Sequence, residues 1–132
     1  MNPSLSQTYS CVIIDDNPLS VQVLEQYVSK THHLKLAGSF TDPVAAMAAF
    51  WQYGKIDFLL LDIQMEVSGI DVARMLRNKV KFVVFVTAHS NHAISAVPDG
   101  DSFLLKPVGY ATFLDTIENL INRDKQKKEL PS

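Results

Sequence analysis

Five side chains in this sequence have the types and positions that suit cation and phosphoryl chemistry. Asp15 and Asp16 follow the apolar run Cys11–Ile14. Asp62 ends the run Ile56–Leu61, Thr87 follows Phe82–Val86, and Lys106 follows Phe103–Leu105 and precedes Pro107. Three carboxylates brought together repel one another, so either they hold protons more tightly or a cation neutralises them. An all-oxygen donor set favours a hard cation, and Mg2+ is typically held by one or two carboxylates with waters and phosphate oxygens. A carboxylate is also a nucleophile that can form an aspartyl phosphate. Phosphoryl transfer mostly needs positioning and neutralisation of the equatorial oxygens, which Mg2+, a lysine and a hydroxyl together supply. Taken singly each residue is weak evidence, because an Asp after an apolar run is more often a turn or cap residue. The set, with a member at the end of each of four runs, carries the reading.

These residues need a frame that gathers the run ends. Five short apolar runs read as strands: Cys11–Ile14, Leu34–Phe40, Ile56–Leu61, Phe82–Val86 and Phe103–Leu105. The first, third and fourth are almost continuously apolar, as suits strands buried on both faces of a parallel sheet. Segments of helical period lie between them. Asn17 with Pro18, and Asp42 with Pro43, read as N-cap and first helical residue. Val23, Leu24, Tyr27 and Val28 form the inner face of the first helix, and Val44, Met47, Ala48 and Trp51 that of the second. Val72, Met75 and Leu76 mark a third. Ala93–Val97 is a short fourth, stopped by Pro98 and Gly100, and Phe113, Ile117, Leu120 and Ile121 mark the last. Strand and helix alternate five times, which predicts a doubly wound parallel sheet with helices on both faces, a three-layer α/β/α sandwich. Ligands of such sheets bind outside the carboxyl ends of the strands, where the five polar side chains fall.

The 132 residues fit one domain, and 47% hydrophobic with 20% charged residues is ordinary globular composition. A net charge of −2 gives no global field toward nucleic acid or an anionic membrane. Cys11 has no second cysteine to pair with and reads as a buried thiol. The polar, uncharged first ten residues do not resemble a signal peptide, and the longest apolar stretch, Phe82–Ala88, falls far short of the about 18 residues a membrane helix needs. The cytoplasm is the expected compartment. The domain is expected over residues 10–122, with 123–132 a polar tail, either a frayed helix end or the start of a linker. His32 and His33 are adjacent and diverge, while His89 and His92 share a loop without cysteine, so zinc is not expected. Met47 and Trp51 read as core, and Glu66 and Asp71 as solvated surface.

The motifs Val12-Ile13-Ile14-Asp15-Asp16-Asn17-Pro18, Leu59-Leu60-Leu61-Asp62-Ile63-Gln64-Met65, Val84-Phe85-Val86-Thr87-Ala88 and Phe103-Leu104-Leu105-Lys106-Pro107 resemble the receiver domain of bacterial response regulators, over roughly Ser10 to Asn122. The resemblance implies a flavodoxin-like sheet of order 2-1-3-4-5. It implies that Asp62 accepts a phosphoryl group from a histidine kinase, and that Asp16, Asp62 and the backbone carbonyl of Gln64 bind Mg2+, with Asp15 acting through a metal-bound water. It makes Thr87 and Lys106 the partners of the phosphoryl oxygens, Phe103 the aromatic switch residue, and the Lys106–Pro107 peptide cis. Gln64 and His89 take the positions that tune phosphate loss. Phosphorylation would then bias the surface formed by the fourth helix, the fifth strand and the last helix, with a homodimer as one outcome. The pattern after Asp62 and Thr87 looks most like receivers of LytTR-type transcription regulators. That implies a DNA-binding output domain outside this chain, and no nucleic-acid or membrane contact by the receiver itself.

Two stretches depart from the family pattern. Glu66 follows Met65 where most receivers have proline, and Gly69 stands seven positions past Asp62 where eight is usual. Pro98-Asp99-Gly100-Asp101 is short and acidic where most relatives are apolar. These departures count for a competing reading, a receiver-like interaction module without phosphorylation, and the intact Asp15, Asp16, Asp62, Thr87 and Lys106 count against it. A Mg2+-dependent phosphatase with an aspartate nucleophile is a third. It usually needs an acid two residues past the nucleophile, where this chain has Gln64, which cannot act as a general acid. No glycine-rich turn follows the first strand, which counts against a nucleotide or flavin site.

Overall fold

A computed structural model describes residues 7–88 and 97–129. Five parallel strands, β1 (Tyr9–Ile14), β2 (Leu34–Phe40), β3 (Ile56–Leu61), β4 (Val80–Thr87) and β5 (Ser102–Leu105), form one sheet of order β2-β1-β3-β4-β5. The helices are α1 (Pro18–Lys30), α2 (Pro43–Phe50), α3 (Gly69–Leu76) and α4 (Tyr110–Glu129). This is the flavodoxin-like α/β/α sandwich expected. The family's usual fourth helix, expected over Ala93–Val97, lies outside the described residues except for Val97, which begins a 3-10 turn ending at Asp99.

The helices start where the cap chemistry puts them. The Asn17 side chain accepts from the Leu19 N–H at 2.9 Å, Asp42 from the Val44 N–H at 3.0 Å, and Ser68 from the Ile70 N–H at 3.2 Å. Pro18 and Pro43 fill first-turn positions whose N–H has no helical partner. Alternation along the strands then splits the core. Tyr9, Cys11, Ile13, Phe58, Leu60, Val84 and Val86 pack with α1 and α4. Val12, Ile14, Leu59, Leu61, Val83 and Phe85 pack with α2 and α3. Cys11 is wholly buried, which pushes its thiol pKa up and keeps it protonated.

The helix faces are partly different from those expected. On α2, Pro43, Ala46 and Phe50 are buried, whereas Val44 and Trp51 are 59% and 79% exposed, so Trp51 is not a core residue. The sequence Pro-Val-Ala-Ala-Met-Ala-Ala-Phe is apolar all round, so periodicity cannot choose its face. Trp51 sits at the helix end, with the Lys79 ammonium 5.2 Å from its ring centroid. On α1, Val21 replaces Val23 on the buried face. On α3, Ala73 is buried and Met75 exposed. On α2 and α3 a small residue, Ala46 or Ala73, faces the sheet, which lets the helix pack close. The last helix follows its pattern, with Phe113, Ile117, Leu120 and Ile121 all buried, and it continues through the polar segment to Glu129.

Candidate functional site

The strand ends deliver the polar residues by main-chain bonds. The Asp15 N–H donates to the Phe40 carbonyl at 3.0 Å, the Asp62 N–H to Ile14 at 2.9 Å, and the Lys106 N–H to Thr87 at 2.8 Å. Asp15, Asp62 and Lys106 are thus fixed by the neighbouring strand, and with Asp16 and Thr87 they lie along one edge of the sheet.

Asp15, Asp16 and Asp62 each offer an oxygen within 4.8 Å of the other two, with Asp15 and Asp62 buried and Asp16 exposed. The Lys106 ammonium stands 2.7 Å from Asp15 Oδ2 and 3.8 Å from Asp62 Oδ1. Asp15 Oδ1 accepts from the Asn17 N–H at 3.0 Å. Its buried Oδ2 accepts no aligned hydrogen bond among the described residues, so Lys106 meets it as an ion pair. Burial pushes the Asp62 pKa up to about 6, helped by the charge of Asp15 and opposed by Lys106; Asp16 raises it further and a bond from the Gln64 backbone N–H lowers it. Among the described residues the Lys106 ammonium pairs with Asp15 and Asp62 but not with Asp16, which leaves excess negative charge on oxygen ligands alone. An under-satisfied buried oxygen in that set is the donor chemistry a hard divalent cation takes.

Thr87 is wholly buried at the end of β4. Phe103 faces Phe85 across the β4–β5 register, their rings stacked with centroids 5.7 Å apart. The Lys106–Pro107 peptide is cis. Glu66 and Asp71 are exposed. His89 and His92 lie outside the described residues. For Gln64 the described bond is its N–H to the Asp62 carboxylate.

Two contributors are not evident from spacing. Gly69 packs on the backbone of Asp62 itself: its N–H donates to the Ile63 carbonyl at 2.8 Å, and a Cβ there would stand 2.0 Å from the Asp62 carbonyl oxygen. The displaced glycine of the short loop was the signal for it. Tyr27, expected only as packing on α1, donates its hydroxyl to the Val108 carbonyl at 2.7 Å, beside Lys106 and Pro107.

A family model described as the response regulator receiver domain matches residues 11–118. The chain belongs to that family of signalling domains, which are not enzymes in the usual sense. It is 34% identical over 121 residues to an uncharacterized response regulatory protein of Vibrio cholerae, covering 88% of this chain and 46% of the relative. It is 29% identical to the transcriptional regulatory protein BtsR of Shigella flexneri, covering 90% of this chain and 50% of the relative. The chain thus spans about half the length of the curated relatives it matches. Among solved structures, the response regulatory domain of mrkE from Klebsiella pneumoniae superposes with a TM-score of 0.77 at 26% identity, covering 89% of this chain and 98% of that one.

Proposed function

We propose that this chain is a phospho-accepting receiver whose acceptor is Asp62. The observation that carries the reading is the arrangement around Asp62, a buried carboxylate at the carboxyl edge of a parallel sheet, flanked by two further carboxylates and an ammonium. A carboxylate oxygen of Asp62 attacks the phosphorus of a phosphohistidine on a sensor histidine kinase. The new O–P bond forms as the P–N bond breaks, and the imidazole leaves with the electron pair and takes up a proton. Asp16, Asp62 and the Gln64 carbonyl, with Asp15 through a water, would hold Mg2+. When bound, that ion supplies the positive charge that offsets the incoming phosphoryl oxygens. Lys106 pairs with those oxygens in place of Asp15, and the Thr87 hydroxyl donates to them.

Thr87 and Phe103 then act as the switch. Inward movement of Thr87 lets Phe103 turn toward the site, and the surface of β5 and α4 changes its preferred state. The output is a DNA-binding domain beyond this chain or a second copy of the receiver, in the cytoplasm. BtsR, whose description is transcriptional regulation, supports the first. Among the described residues no helix is long and apolar enough to cross a membrane.

Acetyl phosphate with Mg2+, followed by intact mass measurement, tests the reading. One added phosphoryl group, absent in Asp62→Asn and without Mg2+, is the expected result. No adduct, together with no binding of beryllofluoride, would move the chain to an interaction module that keeps these residues without the switch.

A further inference from the structure

Lys106 is a long, flexible side chain, and its ammonium is only as well placed as the backbone that carries it. On one side the backbone is held by the sheet, through the Lys106 N–H on the Thr87 carbonyl at 2.8 Å. On the other side come Pro107, which has no N–H to give, and Val108, whose carbonyl accepts from the Tyr27 hydroxyl at 2.7 Å. Tyr27 lies in α1 and is itself well fixed. Its ring packs against those of Tyr110 and Phe113, with centroids 5.3 and 5.5 Å away. Its carbonyl accepts from the Thr31 hydroxyl at 2.7 Å. At its other end α1 is capped by Asn17, whose N–H donates to Asp15 Oδ1 at 3.0 Å, and Asp15 Oδ2 closes on the Lys106 ammonium at 2.7 Å.

These contacts form a closed ring: Asp15 to Asn17, along α1 to Tyr27, across to Val108, back to Lys106 and over to Asp15. We propose that Tyr27 is a positioning residue, setting the Lys106 ammonium against Asp15 and Asp62 by tethering the Val108 carbonyl to α1. The helix is a rigid strut of roughly 15 Å between its anchor points at Asn17 and Tyr27, so loosening the Tyr27 end frees the backbone that carries Lys106 to drift from Asp15. The role in phosphoryl transfer rests on the reading of Asp62 given above; the tether itself does not.

Tyr27→Phe removes the hydroxyl and leaves the ring packing in place. Trace reductive methylation, read by peptide mass, reports how available each lysine is. In Tyr27→Phe the reactivity of Lys106 rises about threefold or more, while exposed Lys35 and Lys55 and the Asp124-paired Lys81 keep their wild-type reactivity. Unchanged Lys106, or a parallel rise at Lys81 that signals general loosening, overturns the proposal. In the second arm, uptake of phosphoryl from acetyl phosphate slows about fivefold in Tyr27→Phe, as loss of one positioning hydrogen bond implies. In a Lys106→Ala background the same substitution has no further effect. Equal slowing in both backgrounds overturns the proposal. A wild-type protein that takes no phosphoryl at all removes the reading of Asp62 and leaves the lysine reactivities to decide the tether.

Discussion

Replacing Gly69 by alanine puts a methyl group where there is no space. The new Cβ would stand 2.0 Å from the Asp62 carbonyl oxygen and 2.8 Å from its carbonyl carbon. An ordinary C···O contact is about 3.3 Å, so the start of α3 and the Asp62 backbone must part by roughly 1 Å. Neither neighbour yields easily, because both atoms are main chain and the Asp62 N–H is held by Ile14. Overpacking of this kind costs about 1–3 kcal/mol, a fall in Tm of about 4–12 °C for a chain of this size. The larger effect falls on chemistry, since misplacing a reacting group by about 1 Å slows reaction on the order of 100-fold. Gly54→Ala is the matched control: nothing lies within 4 Å of its Cβ, and neither glycine has a positive φ. Thermal melts and acetyl phosphate time courses on both variants measure the two effects. Gly69→Ala melting with Gly54→Ala and taking up phosphoryl at the wild-type rate would show that Gly69 does not seat Asp62.

Asp62 gives a pH dependence of definite sign. Its folded pKa of about 6 lies above the ordinary 3.8, so the folded state holds the proton more tightly. Its contribution to stability is full below about pH 4, declines as pH rises, and is gone above about pH 6. In metal-free buffer the wild type should therefore lose up to ~3 kcal/mol relative to Asp62→Asn across that window, and millimolar Mg2+ should restore stability at about pH 7.5 but not at about pH 4.5. Parallel urea stability profiles for the two proteins would contradict this. Lys106→Met leaves Asp15 buried without its cation and should cost ~2–3 kcal/mol in chemical denaturation at neutral pH; a change within error would mean the ion pair is not formed in solution. On α2, Phe50→Ala should cost ~3–5 kcal/mol and Trp51→Ala almost nothing, and the reverse order would restore the core face expected from the sequence.

Much of the fold was legible because the strands announce themselves. Ile56–Leu61 is an almost wholly apolar run, buried except at the half-buried Asp57 and found at those limits, and the Asn17-Pro18 and Asp42-Pro43 pairs mark helix starts by a local hydrogen bond that needs no tertiary context. The site was legible for the same reason: Asp15, Asp62 and Lys106 are the first polar residues past their strands, and parallel pairing brings such residues to one edge. What failed was the choice of some helix faces, on α2 and α3 above all. There a small residue such as Ala46 or Ala73 faces the sheet because it permits close packing, and the larger Trp51 or Met75 is left outside. Contacts made by backbone groups were not legible either. Nothing in the composition of α1 shows that the Tyr27 hydroxyl reaches Val108, 81 residues away in sequence. The short loop at Gly69 signalled a difference in spacing, but only the folded chain shows that the glycine rests on the Asp62 carbonyl.

The most direct test of the central claim locates the phosphoryl group. After phosphorylation by acetyl phosphate with Mg2+, borohydride reduction converts an aspartyl phosphate to homoserine, and peptide mass mapping finds the position. Homoserine is expected at position 62 alone. Homoserine at Asp15 or Asp16, or none at 62 in a protein that has gained a phosphoryl group, would contradict it.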